Sequence, residues 1–223
     1  MCKEKLLAKN LFDYSKTIAK SLFDEVEYSW EALPKIKDFI IEIGKTLDPD
    51  IYEQRGENIW VAKSAKIYPS AFLGGPLIIC EEAEVRHCAF IRGSAIVGRG
   101  AVVGNSTEVK NSILFDGVQV PHYNYIGDSI LGYKAHTGAG TITSNLKSDK
   151  SLVTVKMGDE AIETGVKKFG AMLGDNVEVG CNSVLNPGSV IGRGTNIYPL
   201  SFVRGYVAEN SIYKRLGEVV QKR

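Results

Sequence analysis

Apolar residues recur along this chain at a fixed interval of six, and a strict period of that length excludes most architectures before any local propensity is weighed. Stepping by six from Val61 meets Ile67, Leu73, Ile79, Val85, Ile91, Val97, Val103, Val109 and Phe115 without a miss. Four places after the first nine stand Ala65, Ala71, Leu77, Ala83, Ala89, Ala95, Ala101, Thr107 and Ile113, most of them small. The pattern lapses between about 126 and 172, then returns as Leu173, Val179, Leu185, Ile191, Ile197 and Val203. An amphipathic helix repeats at ~3.6 residues and a half-buried strand at 2, so neither explains the spacing. A solenoid of short parallel strands does. Each six-residue unit makes one flat side of a triangular prism, its large residue points inward, and stacked coils share one core. Gly74, Gly98, Gly104, Gly174 and Gly192 follow large residues, where corners are tight.

The repeat divides the chain into an N-terminal helical segment at 1–56, a solenoid at 57–207 with an excursion at about 144–170, and a tail at 208–223. Leu33, Ile36, Phe39, Ile40, Ile43 and Leu47 lie on one helical face. They predict a helix of about 14 residues, with Asp48-Pro49 closing it. Such helices would cap the open end of the solenoid or dock a partner. The excursion is polar, with 152–155 and 161–164 flanking Met157-Gly158-Asp159-Glu160 as a predicted hairpin. The basic tail reads as a short helix.

Charge and composition narrow the partners. With 27 basic and 26 acidic residues, the chain has no electrostatic footprint for nucleic acid or an anionic membrane. Its longest apolar stretches, such as Phe39-Ile40-Ile41 and Leu77-Ile78-Ile79, fall far short of the ~20 residues of a membrane span. The start, Met1-Cys2-Lys3-Glu4-Lys5, has no apolar leader core, so a cytoplasmic location is expected. Cys2, Cys80, Cys88 and Cys181 form no C-x-x-C pair and read as reduced thiols. The histidines, His87, His122 and His136, lack the spacing of a zinc site, so no metal is expected and a metal-dependent hydratase on this fold is disfavoured.

Against this apolar text a few polar residues stand out. Arg92 and Lys110 are 18 apart, one full coil, and should stack about one strand spacing (~4.8 Å) from each other. Like charges so close favour an anion between them, and a phosphate fits both a planar fork and a point charge. Two solvated surface cations are the alternative. His122, just after Pro121, could serve as a general base near neutral pH or be an ordinary surface histidine. The excursion beside these residues is where a regular solenoid would carry a site.

Four stretches carry a closer resemblance: Phe90-Ile91-Arg92-Gly93; Val103-Gly104-Asn105-Ser106-Thr107-Glu108-Val109-Lys110-Asn111; His122 with Tyr125-Ile126-Gly127-Asp128; and Gly138-Ala139-Gly140-Thr141-Ile142-Thr143-Ser144-Asn145. In residues and spacing this run resembles the acetyltransferase domain of the bifunctional bacterial UDP-N-acetylglucosamine pyrophosphorylase/glucosamine-1-phosphate acetyltransferases. The resemblance implies a left-handed parallel β-helix, mainly β, to which the residues themselves add N-terminal helices and a short C-terminal helix. It implies that Arg92, Lys110 and Tyr125 hold a sugar phosphate, that His122 is the general base and that Asn145 orients the amine. It places Ala139 beside the thioester of acetyl-CoA, Cys181 against the same co-substrate and Lys214 or Arg215 near its phosphates. It also implies a homotrimer, with the acyl site between neighbouring prisms. Departures touch the acceptor end: Leu146 and His136 replace the family's tyrosine and asparagine, and the excursion is longer. No counterpart of the pyrophosphorylase domain accompanies the solenoid, so uridylyl transfer is not expected of these residues, and the N-terminal helices could recruit a separate nucleotidyltransferase. The expected function is CoA-dependent acyl transfer to an amino sugar phosphate or nucleotide amino sugar. The alternative is a non-catalytic sugar-phosphate or nucleotide-sugar binding homologue.

Overall fold

Parallel pairing propagates the six-residue unit along the whole solenoid in the computed structural model, which describes residues 3–215 and 218–222. Three inward columns run its length. One passes from Val61 through Ile79, Val97, Leu114, Leu131, Leu173 and Ile191 to Val207. On the first face Ile67, Val85, Val103 and Val120 are stacked in register, and Thr137, Val179, Ile197 and Tyr213 continue the column above them. On the second face the column is Leu73, Ile91, Val109, Ile126, Thr143, Leu185 and Val203. Each rung adds apolar area to a core that continues into the next, which is why short strands suffice. The protein is therefore a mainly β, parallel solenoid.

Register corrects the expected phase at one point. Val97 stands opposite Leu114, not Phe115, because two successive coils are one residue short where the chain turns at Asn111 and Asp128. Both turn residues are left-handed, with φ of 45° and 48°, a conformation that Asn and Asp tolerate better than most. The repeat does not fail at 126. It runs on in shifted phase through Leu131, Thr137 and Thr143, and a buried threonine is no misfit: Thr143 Oγ1 donates to the Tyr125 carbonyl at 3.1 Å and accepts from the Gly127 N–H at 2.9 Å.

The N-terminal segment does not cap an open end. It runs as a strap along the third face. Strands Leu77–Ile79, Ala95–Val97, Ala171–Leu173 and Ser189–Ile191 are buried at every position. Their central residues Ile78, Ile96, Met172 and Val190 point away from the core, so something must cover them. Helix Ile36–Gly44, nine residues long, packs on the lower strands, and the turn Ser29–Ala32 packs on Tyr125–Leu131. Phe12 and Phe23 meet Phe115 at 5.2 and 5.3 Å between ring centroids. The Asp116 and Asp175 N–H groups donate to the carbonyls of Lys16 and Leu11, both at 3.0 Å. Strand Tyr52–Gly56 then pairs antiparallel with Ile59–Ala62 and leads into the first coil.

The expected C-terminal helix is instead a β-hairpin. Ser211–Arg215 extends the first face, with Tyr213 opposite Ile197, and Glu218–Gln221 folds back antiparallel on it. Tyr213 is buried and its hydroxyl donates to the Phe202 carbonyl at 2.7 Å, so inward packing overrides the helical reading. Residues 216, 217 and 223 of that tail, and Cys2, lie outside the described residues. The excursion does hold a hairpin, Thr154–Met157 with Glu160–Glu163. It folds back on the solenoid: a Cβ on Gly188 or Gly205 would lie 2.6 Å from the Thr154 carbonyl oxygen or 2.5 Å from that of Lys156. No helix among the described residues is long and apolar enough to cross a membrane.

Because Phe115 joins strap to solenoid, Phe115→Ala is expected to lower the unfolding free energy by about 3–5 kcal/mol in urea denaturation. Leu152→Ala, at an exposed position, is expected to change it by no more than about 0.5 kcal/mol. Equal effects would detach the strap from the core.

Candidate functional site

Two corners flank the second face, and the residues expected to carry chemistry divide between them. At the corner between first and second faces, His122 stands opposite Asn105. Ala139 lies one rung above it, then Cys181, Pro199 and Arg215, as the N–H groups of Gly140, Asn182 and Leu200 and the pairing of Ile197 with Tyr213 show. From His122 to Arg215 is four rungs, ~19 Å. Each following residue is left-handed: Tyr123, Gly140, Asn182 and Leu200 have φ between 51° and 73°. That turn makes each corner residue project outward. Buried Asn124 braces it, accepting from the His122 N–H at 3.2 Å and donating to the Gly138 carbonyl at 2.8 Å. The His122 ring is exposed and engages no protein group among the described residues.

At the other corner, between second and third faces, Arg92 lies opposite Lys110 as the spacing of 18 requires. No external anion is needed to reconcile them. Arg92 pairs with Glu108 at 2.8 Å and Lys110 with Asp128 at 3.0 Å. Asp128 is the hub: its nearly buried carboxylate also accepts from Asn111 Nδ2 at 2.9 Å and from Asn145 Nδ2. Its carbonyl accepts from the Gly170 N–H at 2.8 Å. One residue thus ties down both ends of the excursion, whose neck closes through Phe169 N–H to the Asn145 carbonyl at 3.0 Å. Asp128, Asn111 and Glu108 were not singled out from the sequence. The available signal was an Asn and an Asp 17 apart where coils shorten.

Tyr125 lies across the face between these corners. Its ring covers Gly127, and its hydroxyl accepts from Asn145 Nδ2 at 3.1 Å. Burial raises the phenol pKa; Lys110 opposes that effect and Asp128 and Glu108 reinforce it, so Tyr125 stays protonated at neutral pH and keeps an O–H to give. With Nδ2 engaged twice, Asn145 offers its Oδ1, an acceptor suited to an amine or hydroxyl. The strand Tyr125–Gly127 spans about 10 Å between Asn124 and Gly127 at ~3.3 Å per residue. That is the span of one sugar ring with its substituents.

The same face is the exposed apolar side of the prism. Phe72, Phe90, Ile142 and Phe202 stand in the column of Glu108 and Tyr125, each between 41 % and 57 % exposed. Lys214 and Arg215 pair with Glu218 at 3.4 and 2.6 Å; Arg215 heads the His122 corner, and Lys214 sits one place back on the first face. His136 pairs with Glu178 at 2.7 Å on the first face, away from Asn145. Among the described residues, no cluster of His, Cys, Asp and Glu could hold a metal.

Residues 73–208 match the family model described as the GMPPB C-terminal domain. The bifunctional protein GlmU of Methanococcus aeolicus is 32 % identical over 95 % of this chain and 58 % of its own length. The bifunctional sugar-1-phosphate nucleotidylyltransferase/acetyltransferase of Sulfurisphaera tokodaii is 32 % identical over 78 % of this chain and 46 % of its own. A solved putative acetyltransferase from Bacillus cereus is 19 % identical, covering 71 % of this chain and 77 % of its own, with a TM-score of 0.36. The chain spans between 33 % and 58 % of the first curated relatives it matches.

Removing the hub should release the excursion. Asp128→Ala leaves the Lys110 ammonium without its buried partner, and a loss of about 3–5 kcal/mol is expected in thermal or urea unfolding. Limited proteolysis should then cut within 144–168 faster than in the wild type, and an unchanged cutting rate would show that Asp128 does not hold the neck.

Proposed function

We propose, from the premise that this chain belongs to the GMPPB C-terminal domain family, that it transfers an acyl group from a coenzyme A thioester to the amine of a phosphate-bearing amino sugar. One observation carries the reading: a free imidazole at one corner and a phenol, an amide oxygen and two cations at the other border the same exposed face.

The acceptor lies over Tyr125. Asn145 Oδ1 accepts a hydrogen bond from one amine N–H and turns the nitrogen lone pair toward the His122 corner. His122 takes the other proton as the new bond forms, the general-base role open to a neutral imidazole. Arg92 and Lys110 hold the phosphate by exchanging part of their contact with Glu108 and Asp128. The thioester supplies an acyl carbon open to attack, and as its C–S bond breaks the sulfur leaves with the proton that His122 removed. Small residues at Gly138 and Ala139, the Cys181 thiol above them and the Arg215 guanidinium at the top of the column suit an extended chain ending in phosphates. The Ala139 N–H, which donates to no protein acceptor among the described residues, is the available donor for the carbonyl oxygen.

The active form in this reading is a homotrimer. The strap covers the third face, so the apolar second face is the side left for a neighbouring copy, and threefold closure gives three equal sites. The strap's apolar side is taken up by its own solenoid, so recruitment of a separate nucleotidyltransferase through it is not part of the proposal. A coenzyme A donor places the reaction in the cytoplasm.

Release of coenzyme A from acetyl-CoA, followed over a panel of amino-sugar phosphates and nucleotide amino sugars, tests the reaction. His122→Ala is expected to lower turnover by roughly 10²–10⁴-fold. Binding of a panel member without turnover would point instead to a non-catalytic homologue. Phe90→Glu is expected to shift the sedimenting species from three copies to one; an unchanged oligomer would remove the second face from the interface.

A further inference from the structure

Above Asn145 the second–third corner opens into a cleft of about 310 Å³ between the start of the excursion and the coils above. Lys147 and Asp149 line one wall, and Asn186, Pro187 and Arg204 line the other. Arg204 belongs to the same vertical column as Arg92 and Lys110. Ser144 N–H donates to the Leu185 carbonyl at 2.9 Å and Asn186 N–H to the Val203 carbonyl at 3.0 Å, so Ser144, Asn186 and Arg204 occupy successive rungs. Arg204 is therefore four rungs above Lys110, ~19 Å away.

Electrostatic compensation separates the cations of this column. Glu108 and Asp128 already neutralise Arg92 and Lys110. Arg204 has no carboxylate within ion-pair distance and no hydrogen-bond acceptor among the described residues. Lys147 has one carboxylate, Asp149 at 3.5 Å, and is pinned by Ser151 Oγ at 2.5 Å and the Leu152 carbonyl at 3.5 Å. Its ammonium is thus fixed within the excursion, while the residue lines the cleft. The excursion hairpin holds the other wall, since the Lys156 backbone packs directly on Gly205. The unpartnered Arg204 guanidinium and the Lys147 side chain line one polar cleft with a single carboxylate, Asp149, a setting that suits a phosphoryl group.

We infer that Arg204 and Lys147 form a phosphate subsite, separate from the Arg92–Lys110 pair, that binds a phosphoryl group of one of the two substrates. Which substrate supplies it rests on the acyl-transfer reading; the site itself does not. The excursion thereby acquires a function: it brings Lys147 over a corner that would otherwise present Arg204 alone.

Isothermal titration of the full chain with sodium pyrophosphate, glucosamine 1-phosphate, coenzyme A and dephospho-coenzyme A tests the subsite. Arg204→Gln is expected to weaken pyrophosphate about tenfold or more, as loss of a charge-assisted pair implies. Arg86→Gln, on the first face and paired with Glu84, controls for net charge and is expected to change it less than about twofold. A matching loss for glucosamine 1-phosphate assigns the subsite to the acceptor. A loss for coenzyme A but not dephospho-coenzyme A assigns it to the terminal phosphate of the donor. Arg204-dependent binding without acyl transfer in the wild type would keep the subsite and reject the reaction. Wild-type affinity in Arg204→Gln, or no pyrophosphate binding by the wild type, would overturn the inference.

Discussion

The parallel ladder between coils is the constraint on which everything else depends. Once inward residues lock successive coils in register, a residue's height is set by its rung, at ~4.8 Å each, and its side of the prism by its place in the six-residue unit. A corner then becomes a rigid rack on which polar groups can be spaced without any contact between them. His122, Ala139, Cys181 and Arg215 occupy one such rack, and Arg92, Lys110, Asn145 and Arg204 the other. Core packing sets the height and side of each group, and the site's own bonds, chiefly those of Asp128, then orient the side chains.

The strap decides which side of the prism is left to work with. A parallel solenoid has three outer faces, and on the third of these Ile78, Ile96, Met172 and Val190 would be exposed without cover. Burial of each such side chain is worth about 1.5–3 kcal/mol. The same cover takes those apolar side chains out of contact with solvent. What remains is a polar first face and the second face with its aromatic column, where Tyr125 lies between two corners. Asp128 then connects fold to site: a left-handed corner that shortens the coil places a buried carboxylate where it organises Lys110, Asn111 and Asn145 and closes the excursion.

Much of this was legible in the residues. The six-residue period named the solenoid, and the spacing of 18 stacked Arg92 on Lys110 as found. The excursion hairpin was readable from turn residues between two β-rich runs. Other features were hidden for physical reasons. A one-residue deletion at Asn111 moved the phase, so Phe115 imitated an inward residue while packing on the strap, and buried threonines masked the coils that followed. The apolar triplets Leu77-Ile78-Ile79 and Ala95-Ile96-Val97 did carry the strap's signature, since a strand apolar at consecutive positions is buried on both sides. The tail hid its strand because the last coil is short: Ile197 and Tyr213 are 16 residues apart, so Tyr213 falls off the six-residue step that ends at Val203. Asp128, 18 residues after Lys110, was open to the same spacing argument that stacked Arg92 on Lys110, whereas Glu108, 16 after Arg92, reaches it diagonally across strands.

The central claim is that the second face is an acceptor platform bounded by two residue columns. A crystal structure of the protein with coenzyme A and glucosamine 1-phosphate would test it most directly. The account predicts the sugar ring over Tyr125, its amine within about 3 Å of a His122 ring nitrogen and of Asn145 Oδ1, and a second copy covering the face. A sugar phosphate bound on another face, or a second face left empty at saturating ligand, would contradict it.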